Sequence, residues 1–302
     1  MNAIFIIDKP PGLTSHDVVN RVRRILGQRS VGHLGTLDPM ATGVLPLVVG
    51  NLTRLAQFYV ASEKSYEGTI RFGFATDTYD AEGEVAGPVQ QVNLTLAQLE
   101  QLAARFRGSL QQVPPPFSAK KIHGVPAYKL ARKKKEVTLE PVSVEIREFV
   151  ITFCEGDRAG FRARVSSGTY VRSVAHDMGR ELGCGAHLAS LRRTSVAEFD
   201  IADAHTIEQV EAAAQARQLA EIFVHARKLL PAMPSVTAAE DVAAQVRSGR
   251  AVNLPEFSRA KQVKVFYGQG ELIAIATRVA GTLFHPKIVL AAATPVAARS
   301  EG

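Results

Sequence analysis

Residues 32–43, GHLGTLDPMATG, suit neither a helix nor a regular strand, and this exclusion frames how the chain on either side can fold. Pro39 confines the residue before it to extended or polyproline backbone, so Asp38 cannot join a helix, and Asp-Pro favours the start of a turn. Gly32, Gly35 and Gly43 open backbone angles closed to other residues and permit close approach by another chain or a ligand. The segment thus sets a single carboxylate in a glycine-punctuated loop. Asp, Pro and Gly are also ordinary turn residues, so the segment alone fits an Asx-turn equally well. His33 lies five residues before the carboxylate, a spacing that matches no common metal site.

A chain of 302 residues with 46% hydrophobic content has material for one large domain and a small one. Lys+Arg number 36 against 29 Asp+Glu, a net charge of +7 that suggests a polyanionic partner. Residues 101–150 hold ten Lys/Arg and four Glu, so most of the excess sits there, peaking at Arg132, Lys133, Lys134 and Lys135. By itself such a run is a solvated face or an import-like tract. Its flanks argue for more. Pro114, Pro115, Pro116, Gly124 and Pro126 interrupt regular structure, and Phe117, His123 and Tyr128 interleave stacking surfaces with Lys120, Lys121 and Lys129. That mixture suits an RNA-binding insertion at about 110–142.

Cys154 and Cys184 are the only cysteines, too few for a zinc site or a disulfide framework, which fits a reduced, cytoplasmic setting. The apolar stretch at the N-terminus is too short and too early for a signal peptide, and no run of eighteen apolar residues occurs. No membrane partner and no metal ligand set is expected.

Residues 3–7 read as a buried strand, and a helix follows with Thr14 or Ser15 as cap, Val18, Val22, Ile25 and Leu26 as apolar face and Gly27 as stop. Residues 44–49 are continuously apolar, and Tyr66, Gly68, Ile70, Phe72 and Phe74 alternate with Glu67, Thr69, Arg71 and Gly73, the pattern of a half-buried strand. Tyr66 on its apolar face is either a core tyrosine or the wall of a pocket. Asp77, Asp80 and Glu82 lack the oxygen pattern of a calcium loop and read as an acidic turn. Residues 94–106 form an amphipathic helix and residues 142–153 a strand.

In residues 166–183, Val171, Val174, Ala175, Met178 and Leu182 have helical spacing, with Gly168 or Thr169 at the cap, so Tyr170 and Arg172 fall in the first turn. The helix macrodipole disfavours a cation there, which suggests a carboxylate close to Arg172. Arg192 and Arg193 extend the basic surface, residues 210–230 are Ala-rich and helical, and residues 230–234 resemble a linker. Three short strands, 263–267, 272–279 and 283–290, form a small β-rich appendage. The expected class is mixed α/β with this β-rich tail.

With the segments in order, DKPPGLTSHDVV (8–19), GHLGTLDPMATGVLP (32–46), KSYEGTIRFG (64–73), SSGTYVRSVAHDMG (166–179) and GCGAHLASLRR (183–193) resemble the signature blocks of the TruB family, the bacterial tRNA pseudouridine-55 synthases. Five blocks in one order are far more specific than any single motif. The resemblance implies a pseudouridine synthase catalytic domain over 1–232 and a PUA-like domain over 233–302, acting as a monomer on the T-arm stem-loop of tRNA with no cofactor. It implies that Asp38 is the catalytic aspartate, Tyr66 the tyrosine stacked on the target base and Arg172 the arginine paired with the aspartate. Tyr170 matches the neighbouring tyrosine, His33 the histidine that holds the flipped-out state, Lys9 the lysine of the first block, and Leu191 an apolar wall of the uracil pocket; Lys133, Lys134 and Lys135 are expected to contact RNA.

The chemistry of the residues is consistent with those roles, because an ionised Asp38 can act as nucleophile or base, and burial raises its pKa while an adjacent Arg172 lowers it. Three rivals are weaker. A guide-RNA-dependent synthase subunit shares the aspartate block, but the catalytic blocks here begin almost at residue 1, which favours a stand-alone enzyme. A non-catalytic tRNA-binding or folding protein has no need of Asp38, Tyr66 and Arg172 together. An aspartate-dependent phosphohydrolase lacks its second carboxylate or metal cluster.

Overall fold

The computed structural model describes residues 1–118, 120–122, 124–127, 130, 139–257 and 259–291. Lys133, Lys134 and Lys135 lie outside the described residues, as do Arg132, His123, Tyr128 and Lys129. The larger sheet has nine strands: β1 (Ala3–Lys9), β2 (Val31–His33), β3 (Thr42–Val49), β4 (Lys64–Phe72), β5 (Gly108–Gln112), β6 (Val142–Glu155), β7 (Arg158–Val165), β8 (Ala186–Val196) and β9 (Phe199–Asp200). The main order is β1–β3–β8–β4–β7–β6–β5, with β2 paired to β3 and β9 to β8. All pairings are antiparallel except β8 on β3, so the sheet is mixed.

The apolar character of β1 and β3 follows from burial on both faces. Phe5, Ile7, Leu45, Leu47 and Val49 face a cluster shared with the helices, whereas Ile4, Ile6, Val44 and Val48 face a second cluster. Gly43 has φ +95°, and a Cβ there would meet the Arg193 carbonyl oxygen at 2.2 Å. The chain can enter β3 against β8 only with glycine at this position. Gly35 also has positive φ, at +108°; Gly32 does not, and is ordinary strand backbone in β2.

Helix α1 (Ser15–Leu26) starts at a Thr14–Asp17 capping box and stops at Gly27 in the left-handed conformation, as its sequence predicts. Helix α2 (Leu96–Ala104) is shorter than the pattern over 94–106. In α3 (Val171–Glu181) the expected cap is corrected: Tyr170 holds the N-cap position without a side-chain hydrogen bond. Gln112 at the end of β5 replaces it, its Oε1 accepting from the Tyr170 N–H at 2.8 Å and its Nε2 donating to the Tyr170 carbonyl at 3.0 Å.

Helix α4 (Ile207–Gln215) also corrects an expectation, because the helical reading of 210–230 fails beyond Gln215. Arg217 turns left-handed at φ 59°, and the chain then runs beside β1, with the Val224 N–H donating to the Ile4 carbonyl at 2.8 Å. Packing of Leu219, Ile222 and Phe223 against the core outweighs the helix propensity of the alanines.

A five-stranded sheet forms the β-rich C-terminal part, from β10 (Ser235–Ala238), β11 (Val252–Asn253), β12 (Gln262–Tyr267), β13 (Glu271–Ala280) and β14 (Leu283–Val289), in the order β10–β12–β13–β14–β11. Helix α5 (Glu240–Arg247) lies against it. Phe266, Leu272, Ile275, Ile288 and Leu290 join Ile4, Ile6, Val44 and Val48 in one apolar cluster, so the two sheets share part of their core. Asn51 and Arg54 add hydrogen bonds to the carbonyls of Leu290 and Val289. Among the described residues no helix is long and apolar enough to cross a membrane.

Candidate active site

Asp38 sits at the turn between β2 and β3, with its side chain 36% exposed. Its surroundings fix the backbone on both sides. Ser15, at the start of α1, accepts the Leu37 N–H at 2.8 Å and donates to the Leu37 carbonyl at 3.1 Å. Lys9 ends β1 with its ammonium donating to the carbonyls of Pro10, Pro39 and Ala41 at 2.9, 3.1 and 2.7 Å. Lys9 is 0% exposed, so it braces the Asp38 loop from within. No side chain among the described residues hydrogen-bonds the Asp38 carboxylate, and the Ala41 N–H instead donates to the Asp38 main-chain carbonyl at 3.1 Å.

The geometry answers the question raised by a cation in the first turn of a helix. Arg172 is buried, and its Nε lies 3.0 Å from Asp38 Oδ2 while Nη1 lies 3.2 Å from Asp80 Oδ2. The guanidinium also donates to the carbonyls of Thr78 and Phe117, at 3.1 and 3.0 Å. The Nε approach to Asp38 is close enough for an ion pair, yet its angle makes no hydrogen bond, and Nε is left without another partner. Asp38 is therefore held electrostatically while its lone pairs stay open to a substrate. The contact of Arg172 with Phe117 also ties this pair to the start of the 110–142 segment.

The structure corrects the reading of Asp80 as part of a simple acidic turn. It is 3% exposed and neutralises Arg172 from within. Tyr79 before it has φ 66° and stacks on His176 of α3, with ring centroids 3.7 Å apart at 12°. His176 thus packs against the turn, while Asp177 pairs with Arg180 at 3.1 Å. Arg192 and Arg193 do not both extend a basic surface: Arg192 forms a two-bond pair with Asp8 at 3.0 and 2.8 Å, and Arg193 is 0% exposed.

The other expected site residues gather unequally. Tyr66 on β4 lies between Ala163 of β7 and Arg193 of β8 in register. It shares one apolar cluster with Leu191, with Leu37 beside Asp38 and with Val171 beside Arg172. Leu191 also lines an open cleft of about 600 Å³ with Met40, Thr42 and Gly68. Tyr170 adjoins Arg172 as the cap of α3. His33 stands apart on the edge strand β2, half-buried, with Nδ1 unpartnered.

Burial pushes the Asp38 carboxyl above its ordinary range, and the opposing pull of Arg172 does not cancel it; Asp80 adds to the rise. Exposure and poor solvation coexist here because about a third of the side chain stays accessible, 36%, while protein surrounds the rest and replaces its water. Burial likewise draws Lys9 down to about 8, against the raising influence of Asp38, and lowers His33. Among the described residues no group of His, Cys, Asp and Glu could hold a metal ion. What the site offers is a partly exposed carboxylate with a buried cation beside it.

The TruB family pseudouridylate synthase N-terminal domain matches residues 23–171, and the tRNA pseudouridylate synthase B C-terminal domain matches residues 172–233. The chain belongs to the TruB family of pseudouridylate synthases. It is 50% identical to the tRNA pseudouridine synthase B of Solibacter usitatus (strain Ellin6076), over 96% of this chain and 100% of that one. The tRNA pseudouridine synthase B of Aquifex aeolicus (strain VF5) is 37% identical, again over 96% of this chain and 100% of its own. The TruB-type fold is shared with a Cbf5–Nop10–Gar1 complex structure, at a TM-score of 0.69 and 24% identity, over 93% of this chain and 79% of that one. The boundary between the two TruB domain matches falls between Val171 and Arg172, so Asp38 and Arg172 come from different matched segments.

Proposed function

We propose that the chain isomerises uridine 55 in the T-loop of tRNA to pseudouridine, in the cytoplasm, as a monomer and without a cofactor. In this reaction the C1′–N1 glycosidic bond breaks, the uracil rotates, C1′ bonds to C5, the C5 proton leaves to solvent or a base, and N1 takes up a proton, so that the product is an isomer of the starting uridine. Attack at the sugar, attack at the base and elimination all begin from the same ionised carboxylate, which is the role proposed for Asp38. The observation that carries the reading is the Asp38–Arg172 pair: an ion pair at 3.0 Å that leaves the carboxylate partly exposed and, among the described residues, without a side-chain hydrogen bond.

The remaining residues fit as follows. Extracting a base from its stack costs a few kcal/mol, and a base–aromatic contact with Tyr66 returns about 1 to 3 kcal/mol. Leu191 closes the apolar side of the uracil, and Tyr170 borders it beside Arg172. His33, kept neutral by burial, fills the space the base vacates. Lys9 contributes by fixing the loop, and Lys133, Lys134 and Lys135 contact the RNA backbone.

Release of tritium from C5-labelled uridine in tRNA tests the proposal. The wild-type chain releases it and Asp38→Asn does not, while the variant binds tRNA nearly as well. Substantial turnover by Asp38→Asn overturns the assignment of Asp38. Tight tRNA binding with no turnover by the wild type identifies a non-catalytic tRNA-binding protein instead.

A further inference from the structure

Arg193 is among the largest fully buried side chains in the molecule. Burying a guanidinium is costly unless it is paired or fully hydrogen-bonded, and among the described residues no carboxylate forms a salt bridge with it. Its donors end on main-chain carbonyls instead: Nε on Val44 at 2.8 Å, Nη1 on Thr36 at 3.2 Å and Nη2 on Gly35 at 3.0 Å. These acceptors stand on the two feet of the Asp38 turn. Gly35 and Thr36 lead into it from β2, and Val44 lies two residues inside β3.

We infer that Arg193 is a positioning residue for the reaction, its planar fork tying the two feet of the turn together so that Asp38 is presented in one geometry. This rests on the pseudouridine synthase reading above. Simple packing does not need a charge here, since an apolar side chain of similar volume would fill the space without the desolvation cost. A guanidinium supplies what that side chain lacks: donors in a rigid plane that reach carbonyls in two separate segments at once, which a lysine, a point charge on a flexible stem, does less well. Ser15 holds Leu37 and Lys9 holds Pro39 and Ala41, so Arg193 completes the restraint on the side that leads into Asp38. Its position next to Tyr66 in register also couples the turn to the aromatic wall.

The same charge acts on Asp38 through space. The groups facing that carboxylate are Arg172 from α3, Lys9 from β1, Arg193 from β8, Asp80 and Glu82 from the connection after β4, and Tyr170 at the start of α3. Removing the Arg193 charge leaves the ionised carboxylate less supported, so Asp38 ionises at higher pH.

The test compares wild type, R193K and R193M by single-turnover pseudouridine formation on tRNA at saturating enzyme, across pH, with tRNA affinity and thermal unfolding measured alongside. Misplacing a reacting group by an ångström costs about 100-fold, and a fall of that order is expected in the saturated rate of R193K, with tRNA affinity close to wild type. The acid limb of the rate moves to higher pH in R193M and stays near wild type in R193K, a response that a stability role alone does not produce. Folded R193K and R193M with wild-type rates overturn the inference, as does a rate loss matched by lost tRNA affinity. If R193M does not fold, R193K decides; if R193K also fails to fold, Arg193 serves stability and the inference falls. An inactive wild type would instead defeat the functional reading itself.

Discussion

Asp80 Oδ2 lies 3.2 Å from Nη1 of Arg172, and both side chains are almost wholly buried. This contact places a second carboxylate on the guanidinium that already faces Asp38, and it explains how α3 tolerates a cation in its first turn. The two carboxylates differ in environment. Asp80 is enclosed and also accepts the Thr78 hydroxyl and the Glu82 N–H, at 2.6 and 3.1 Å, whereas Asp38 is open. One anchors the arginine and the other is left available.

Asp80→Asn is accordingly expected to slow catalysis without abolishing tRNA binding. Breaking a buried ion pair on one side costs about 3 to 5 kcal/mol, and the isosteric amide keeps part of that through its remaining hydrogen bonds. Urea denaturation and single-turnover rates measure the two effects. A variant with wild-type stability and rate would show that Asp80 does not support Arg172.

The acid limb of the rate should lie above the ordinary carboxylate range, because burial of Asp38 outweighs the pull of Arg172. Charge removal in Arg172→Met moves that limb further up, since the ionised form loses its nearest cation. A limb at the ordinary aspartate value in the wild type would contradict the burial argument.

Lys9→Met tests the brace beneath the loop. An unsatisfied buried carbonyl costs about 1 to 3 kcal/mol, and without Lys9 the Ala41 carbonyl is left so, while the Pro39 carbonyl keeps the Gly12 N–H at 2.9 Å, so a loss within that range is expected in chemical denaturation. The pH dependence has a definite sign. Lys9 is drawn down to about 8 in the folded chain against 10.5 ordinarily, so between these values the unfolded chain binds more protons and stability rises with pH. Lys64 is also lowered to about 8 by burial, so Lys9→Met should flatten the rise without removing it.

His176→Ala removes the ring stacked on Tyr79. Aromatic pairs contribute about 0.5 to 1.5 kcal/mol beyond burial, and Tyr79 carries a left-handed backbone that depends on such support. Thermal unfolding should register the loss, and the saturated rate should fall with it because Asp80 is the next residue. An unchanged rate would confine the stack to stability.

Neutralising Lys133, Lys134 and Lys135 together is expected to weaken tRNA binding and flatten its salt dependence, by about 0.7 to 0.9 in log–log slope for each phosphate that no longer meets a lysine. A salt slope equal to that of the wild type would leave these lysines facing solvent.

The sequence is most legible where local rules act. The Thr14 cap, the Gly27 stop and the turn closed by the Ala41 N–H on the Asp38 carbonyl depend on neighbours a few residues away. Arg172 is legible through a violation, a cation where the helix field opposes it. Asp80 is not, because an acidic turn carries no mark of what its backbone will bring inward; only Tyr79, in a left-handed conformation that sequence does not announce, turns it so. Arg193 does carry a signal. Adjacent residues of a strand face opposite sides, so Arg192 and Arg193 cannot both lie on one surface. Register supplies the remainder, setting Arg193 against both Gly43 and Tyr66.

Lys9, Ser15 and Arg193 grip the turn through main-chain atoms, and among the described residues the carboxylate of Asp38 contributes no hydrogen bond to its own support. The backbone of the turn is therefore held by other residues than the one it displays, and among the described residues the carboxylate pairs only with Arg172. Asparagine at position 38 should be carried in the same backbone pose, with Asp80 alone left to balance Arg172.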